Sequence, residues 1–467
     1  MPTLQHVFQM DDKITVVNET LERAADDQRP IHLVLIATKP DIIKQAPLIL
    51  ELRKQKQNML IVHSGQHYEW NLSKGLEEEF RITPDVNLNV RVDHLYELEA
   101  QIILRFGKLI YELKKRNKRI VPYTYSDTTT AVAGGIASFA NRIAVAHVEA
   151  GLRTMSPPRD LLMQLMEPGS IEGYFARLKN AALWKKGSYE PYPEQFDTRA
   201  SAPSAGVHLA PVELNRKNLL EEGYDERRIF VVGNPVADTI AIARQRQGES
   251  RIVEKYPKLK EGGFIRFCIH RRENVSSRHR FKSLILAMKR LVEEGVNVLL
   301  ISLGATEKAL REYQLKDDIA ALAATHDNFI YSPVWPSYID VVAAMGQCSV
   351  IATDSGSIQE EANVLGIPLV TLRFNTDRPE TVFAGANILA PPIREDVVYR
   401  VIRGVYDSEA IRAEMRSAGK LYGENVSEKT VNVVNGIISA GPLFELLEHE
   451  RLGLSKLPFW EPGEIAW

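Results

Sequence analysis

Cysteine is almost absent from this chain of 467 residues. Cys268 and Cys348 are the only two, far apart. That excludes a disulfide framework, a CxxC redox pair and a cysteine zinc site. Both lie in strand-like runs and are expected to be buried thiols. No run approaches the ~20 apolar residues that span a bilayer. The opening MPTLQHVFQMDDKI has no basic segment followed by an apolar stretch, so no secretory signal is read there, and the expected location is cytoplasmic, with no membrane partner. An excess of one charge is also missing. Lys+Arg is 58 against Asp+Glu 60. A dedicated nucleic-acid binder needs a basic surplus to displace counterions, so nucleic acid is excluded as a partner. Familiar chemistry motifs are lacking too. There is no GxGxxG after a strand, no GxxxxGK[ST], no GxSxG and no HExxH, and the histidines have no metal-ligand spacing.

What is present is a rhythm. Short apolar, β-rich runs alternate with longer amphipathic segments. Residues 31–36, 59–62, 119–123, 144–148 and 207–210 read as strands, with helices over 42–54, 98–115 and 211–223. A second series has strands at 265–269, 298–303, 350–352 and 368–372, with helices over 281–294 and 357–365. Nearly unbroken apolar strands are the mark of parallel sheets covered on both faces. The expectation is an α/β chain with two Rossmann-like, doubly wound domains and a central cleft. Ligands in such folds lie at the carboxyl ends of the strands.

The polar residues that could do chemistry fall at those ends. Lys39 and Lys44 follow the first strand at a helix start, where free N–H groups and the helix dipole favour phosphate. Gln66 and His67, in Ser64-Gly-Gln-His67, offer directional hydrogen bonds. Asp127 sits in a Ser/Thr/Asp cluster that also suits a helix cap. His147-Val-Glu-Ala-Gly-Leu-Arg153 gathers a base, the acid Glu149 and the guanidinium of Arg153, which would be costly to bury unpaired. Glu194 lies in a polar loop. His270-Arg-Arg-Glu-Asn274, with Arg271, directly follows a strand and suits an anion. In Asp354-Ser-Gly-Ser-Ile-Gln-Glu-Glu361, Ser355, Gly356 and Ser357 open a helix whose N–H groups can cradle phosphate. Glu360 and Glu361 lie one turn in, where a carboxylate can accept from ribose hydroxyls.

Together with Arg378-Pro-Glu380, these blocks resemble, in order, the signature of the non-hydrolysing UDP-N-acetylglucosamine 2-epimerases, from about residue 31 to 436. The resemblance implies a fold of the glycosyltransferase-B type, a homodimer, a nucleotide-sugar substrate, and neither a metal nor a nicotinamide cofactor. It implies that nucleoside diphosphate leaves the anomeric carbon, a glycal forms, and diphosphate adds again after reprotonation on the other face. On that pattern Asp127, Glu149 and Glu194 are the acid/base set. His270 and Lys44 stabilise the leaving diphosphate, Ser355, Gly356 and Ser357 hold phosphate, Glu361 holds ribose, and Arg378 lies near the sugar–phosphate. A hydrolysing epimerase, a glycosyltransferase of the same fold and a nucleotide-sugar sensor are the competing readings.

The chain departs from the pattern in five places. After Pro193-Glu194 the family has Glu, an apolar residue, Asn and Arg, where this chain has Gln195-Phe-Asp-Thr-Arg199. Lys39 stands where the family has arginine, and Ser357 where it has a second glycine. Gly304 follows a strand where the family often has histidine. A segment over 155–192 is far longer than the family's loop. Its helix-like part, 171–186, carries Ile171, Tyr174, Phe175, Leu178, Ala182 and Leu183 at helical spacing. The expectation is a lid over the sugar, with a subunit contact as the alternative. The expected organisation is an extension at 1–30, a first domain at 31–232 containing the insertion, a second at 233–410, and at 411–467 a returning helix with a docked apolar tail.

Overall fold

The computed structural model describes residues 14–65, 75–116, 119–440 and Leu454. The first sheet is built from β1 (Thr15–Val16), β2 (Ile31–Ile36), β3 (Met59–His63), β4 (Val86–Asn87), β5 (Ile120–Tyr125), β6 (Val145–Val148), and, beyond the insertion, β9 (Ala205–Ala210) and β10 (Ile229–Val231). Their order is β1-β4-β3-β2-β5-β6-β9-β10. Every pairing is parallel except that of the edge strand β1 with β4. The insertion carries a two-stranded antiparallel ribbon, β7 (Met155–Ser156) with β8 (Lys185–Lys186). The second sheet comprises β11 (Phe264–Cys268), β12 (Val298–Ser302), β13 (Phe329–Pro333), β14 (Cys348–Thr353), β15 (Leu369–Thr371) and β16 (Asn387–Leu389). It is wholly parallel, in the order β13-β12-β11-β14-β15-β16. These are the two doubly wound Rossmann-like sheets expected.

Physical pattern explains which strands the sequence announces. All six residues of β2, β5 and β9 are buried, so each reads as one apolar run. The strands that escape sequence reading are short or lie at edges: β1, β4, β7, β8, β10, β13 and β16. An edge strand is paired on one side only and needs less apolar surface. The expected helix over 42–54 begins earlier, at Lys39, because Asp41 accepts a hydrogen bond from the Thr38 N–H at 3.0 Å. Near the amino end a helix spans Asn18–Asp26. Of the two thiols, Cys268 is buried but Cys348 is only partly so, correcting the expectation for the second.

Each sheet reverses winding once, between β2 and β5 in the first and between β11 and β14 in the second. The crevices at such reversals are where α/β sheets bind ligands. The chain crosses between the sheets near Gly233 and returns near Tyr422. The Asn234 N–H donates to the Tyr422 carbonyl at 2.9 Å, and a Cβ on Gly233 would stand 2.4 Å from that oxygen. Glycine is required there by this approach and by a φ of +103°. Helix Val426–Ala440 then packs on helix Lys39–Lys54. The apolar tail lies, but for Leu454, outside the described residues. Among the described residues no helix is long and apolar enough to cross a membrane.

The insertion does not form the long helix expected over 171–186. Helix Ile171–Leu178 ends where the Asn180 side chain accepts the Ala182 N–H, and a single 3-10 turn and β8 follow. Its stripe is real: Tyr174, Phe175 and Leu178 are buried. They pack into the hydrophobic core of the second domain, with Val382, Leu389 and Val398. Tyr174 donates to the Leu389 carbonyl at 3.0 Å, and Trp184 meets Phe383 edge-on at 5.4 Å. The lid expectation is therefore corrected. A face of this size, already buried on the second domain, leaves no apolar stripe to close over a sugar.

Candidate active site

At the carboxyl ends of β5 and β6 the backbone leaves its ordinary regions. Ser126 has φ +50° and Glu149 φ +61°, both left-handed conformations that non-glycine residues rarely adopt. Such strain, about 1 kcal/mol or more per residue, persists where the surroundings fix it and clusters at functional sites. Here the Ser126 N–H donates to the Val148 carbonyl at 2.8 Å, and the Ser126 carbonyl lies 2.8 Å from His147 Nε2. These contacts hold Asp127 and Glu149 on adjacent strand ends.

Glu149 is fully enclosed. Lys44 Nζ donates to its Oε1 at 2.7 Å, the Asn234 amide donates to the same oxygen, and the Tyr125 hydroxyl donates to Oε2. Lys44 also pairs with Glu360, which arrives from the second domain on helix Gly356–Leu365. Arg378 completes the junction, its Nε on Glu360 at 2.5 Å and its Nη2 3.6 Å from Glu149. Two carboxylates and two cations from the two domains thus meet at one point. Burial alone would raise Glu149, but Lys44 and Arg378 outweigh it and hold the carboxyl well below the usual range. Burial raises Glu360, with the Glu149 charge adding, so Glu360 keeps the proton when the pair holds one. Asp127 is raised to about 6, chiefly by burial, against the pull of Arg378.

The second domain supplies an anion cradle. Asp354, at the end of β14, accepts the N–H groups of His270 and Arg271 and the Asn274 amide, each at 3.0 Å. This ties the loop after β11 to the start of helix Gly356–Leu365. A Cβ on Gly356 would lie 2.9 Å from Asp377 Oδ2, 3.3 Å from Arg271 Nη2 and 3.4 Å from Arg378 Nη1. Glycine thus leaves room where two guanidinium groups face a helix amino end, an arrangement suited to phosphate. Arg271 also pairs with Glu194, the first residue of helix Glu194–Ser201. His270 lies 3.3 Å from Asp354; desolvation lowers its pKa against that carboxylate's pull.

The structure brings Asp127, Glu149, Glu194, His270, Lys44, Arg271, Gly356 and Arg378 into one cleft between the domains. Ser355 and Ser357 flank Gly356 at the helix start. Lys39 reaches across the domains to donate to the Trp335 carbonyl at 2.8 Å, and burial lowers it to about 8. Glu361 faces the Lys39 side, and burial raises it to about 7. Arg153 goes elsewhere. Its guanidinium is fully buried on Glu222 at 2.6 Å and on the Leu152 carbonyl, a structural pair away from the cradle. Gln66 and His67 lie outside the described residues. Sequence reading missed Asn234 and assigned no role to Tyr125, Arg373 or Asp377. Asn234 follows the short strand β10, outside any charged block, whereas Arg373 and Asp377 stand among the cationic and polar groups after β15 that lead to Arg378.

A family model described as UDP-N-acetylglucosamine 2-epimerase matches residues 50–160 and 186–435. The chain belongs to this family. The UDP-N-acetylglucosamine 2-epimerase of Methanocaldococcus jannaschii is 30% identical over 374 residues, covering 79% of this chain and 90% of that protein. The Bacillus subtilis enzyme of the same name is 28% identical over 409 residues, covering 85% and 93%. Among solved structures, the M. jannaschii epimerase in complex with UDP-GlcNAc and UDP aligns with TM-score 0.70 at 26% identity, covering 87% of this chain and 99% of that one. The Neisseria meningitidis epimerase bound to UDP-GlcNAc aligns with TM-score 0.71 at 25% identity, covering 87% and 100%. The gap between the two matched stretches, residues 161–185, is the middle of the insertion. The chain is accordingly a nucleotide-sugar 2-epimerase, an isomerase with the glycosyltransferase-B type of fold.

Proposed function

We propose that this chain interconverts UDP-N-acetylglucosamine and UDP-N-acetylmannosamine by loss and return of UDP. The observation that carries the reading is the junction of Glu149, Lys44, Glu360 and Arg378 beside the Gly356 cradle, in a chain of this family. As the anomeric C–O bond breaks, the bonding pair leaves with the UDP oxygen, and positive charge grows on the anomeric carbon. That charge acidifies the neighbouring C–H. A carboxylate removes the proton, the C–H pair becomes the double bond of the glycal, and atoms and charge balance. Return of a proton to the opposite face of carbon two, with UDP adding to carbon one, gives the epimer.

Asp127, Glu149 and Glu194 are the proposed acid/base set. Asp127, with its pKa raised to about 6, suits a proton exchange near neutral pH. Arg271, Arg378 and Lys44 face the leaving diphosphate, where cations in a dry site stabilise developing charge best, and His270 donates an N–H to it. Glu361 is proposed to hold ribose.

A homodimer is part of the same reading. Helices Leu95–Lys114 and Thr129–Ala140 pack side by side and leave Leu104, Tyr111, Ile136 and Phe139 exposed. Exposed apolar groups in such number on neighbouring helices suit a subunit contact. The test is incubation of each UDP-sugar in deuterated water. Expected is the other epimer, with deuterium at carbon two and UDP still attached. Free sugar and UDP as final products would replace this reading with a hydrolase.

A further inference from the structure

The loop that follows β15, residues 373–378, ends in Arg378, and both legs of the insertion grip it. On the outgoing leg, Met155 and Thr376 exchange backbone hydrogen bonds of 2.9 and 3.1 Å. On the returning leg, the Asn375 amide donates to Ser188 Oγ at 3.1 Å and stands 3.5 Å from Glu190 Oε2. Glu190 in turn pairs with Arg280 at 3.2 Å, and the Arg280 guanidinium lies 4.8 Å over the Phe374 ring. The next residues of this leg, at Tyr192 and Glu194, reach Glu273 and Arg271.

Asn375 is the point where that grip enters the site. Its Oδ1 accepts from Arg373 Nη2 at 2.9 Å, and Arg373 Nη1 donates to Asp377 Oδ1 at 3.0 Å. Asp377 Oδ2 lies 3.0 Å from Arg378 Nη1 and lines the space over Gly356. Arg373, Asn375, Asp377 and Arg378 are all nearly inaccessible to water. The relay therefore runs Ser188, Asn375, Arg373, Asp377, Arg378 without a solvent-exposed break after its first member. Arg378 is held in part by its pairs with Glu360 and Glu149. Here the aim of the guanidinium also depends on a segment whose core, 161–185, the family model does not contain.

We propose that Asn375 is a positioning residue for the reaction, through which the insertion sets the aim of Arg378 at the leaving diphosphate. The inference rests on the epimerase reading above. Asn375 touches neither substrate nor reacting atoms; it acts through Arg373 and Asp377. A misaimed Arg378 weakens its hold most on the form with the greatest phosphate charge. Free UDP carries one more ionisable phosphate oxygen than the sugar ester, so UDP affinity reports the charge that develops as the bond breaks.

The test uses the full chain with Asn375→Ala, Ser188→Ala and the double variant. Three quantities are measured: turnover of UDP-N-acetylglucosamine, its Michaelis constant, and UDP affinity by calorimetry. Expected for Asn375→Ala is about a 10-fold fall in kcat and a similar weakening of UDP, with KM within about twofold and the thermal midpoint held. Ser188→Ala should give about threefold, and the double variant no more than Asn375→Ala alone, since residues in one relay are not additive. If Asn375→Ala does not fold, Ser188→Ala alone decides, because its side chain is partly exposed and the Asn375 amide keeps Glu190 as an acceptor. Unchanged kcat and UDP affinity, or losses that add in the double variant, overturn the proposal. A wild-type protein that binds UDP but moves no deuterium overturns the epimerase reading instead, and the UDP arm still decides the role of Asn375.

Discussion

The two walls of the cleft do opposite work with opposite charges. The first domain offers carboxylates, Asp127 and Glu149, on strand ends whose backbone is strained. The second offers guanidinium groups and a helix amino end around a glycine, on a backbone with no left-handed residue between Asp354 and Gln359. On the proposed reading, strain appears where a single oxygen must be aimed at a proton. The cradle needs only converging donors around a diffuse anion, and an ordinary helix start supplies them. Each wall also sends one residue of the other sign across, Lys44 from the first and Glu360 from the second. The exchange pairs Lys44, Glu149, Glu360 and Arg378 with one another, and any of them buried alone would cost several kcal/mol.

The contrast between the walls is most exposed to test at the first. Glu149→Gln should lower turnover by about 10²-fold or more while UDP binding persists, because a positioned acid–base group contributes about that much. Steady-state kinetics beside UDP calorimetry separate the two effects, and normal turnover would remove Glu149 from the chemistry.

The next effect is on stability. The folded protein holds the Asp127 proton more tightly, at about 6 against 3.8 for a free carboxyl. Stability is therefore lost as pH rises through that window, by up to about 3 kcal/mol. Asp127→Asn escapes this loss. Its unfolding free energy relative to wild type should grow from near zero below pH 4 to that value at pH 8, read by urea titration at both pH values. An equal difference at the two would show that the carboxyl is not under strain.

A milder effect belongs to the second wall. Arg271→Met should weaken UDP by roughly 10- to 100-fold, the range of one charge-assisted hydrogen bond. A fall in kcat larger than the fall in UDP affinity would move Arg271 from the anion cradle to the proton chemistry.

Much of this is legible in the order of residues. Strands buried on both faces announce themselves as apolar runs, and charged residues placed directly after them have few other uses. His270-Arg-Arg and Asp354-Ser-Gly-Ser are of this kind, and both lie in the cleft. Arg153 shows the limit. It belongs to the same block as Glu149, yet a left-handed turn at Gly151, φ +87°, separates the two, and Arg153 finds Glu222, just past the end of helix Glu213–Glu221. Sequence proximity gives no direction to a side chain beyond such a turn.

The insertion shows the limit in a second way. Its apolar stripe through Leu178 is readable from helical spacing, which is a local property. The surface that receives the stripe is not local: Val382, Leu389 and Val398 lie some two hundred residues further along the chain. The periodicities, the two sheets and the chemical types at the strand ends are written in the chain, because each follows from near neighbours. That Lys44 lies between Glu149 and Glu360, and that Ser188 reaches Arg378 through Asn375, emerges with folding alone. Those pairings join residues of different domains, and their partners are chosen by packing and by the cost of leaving a buried charge alone.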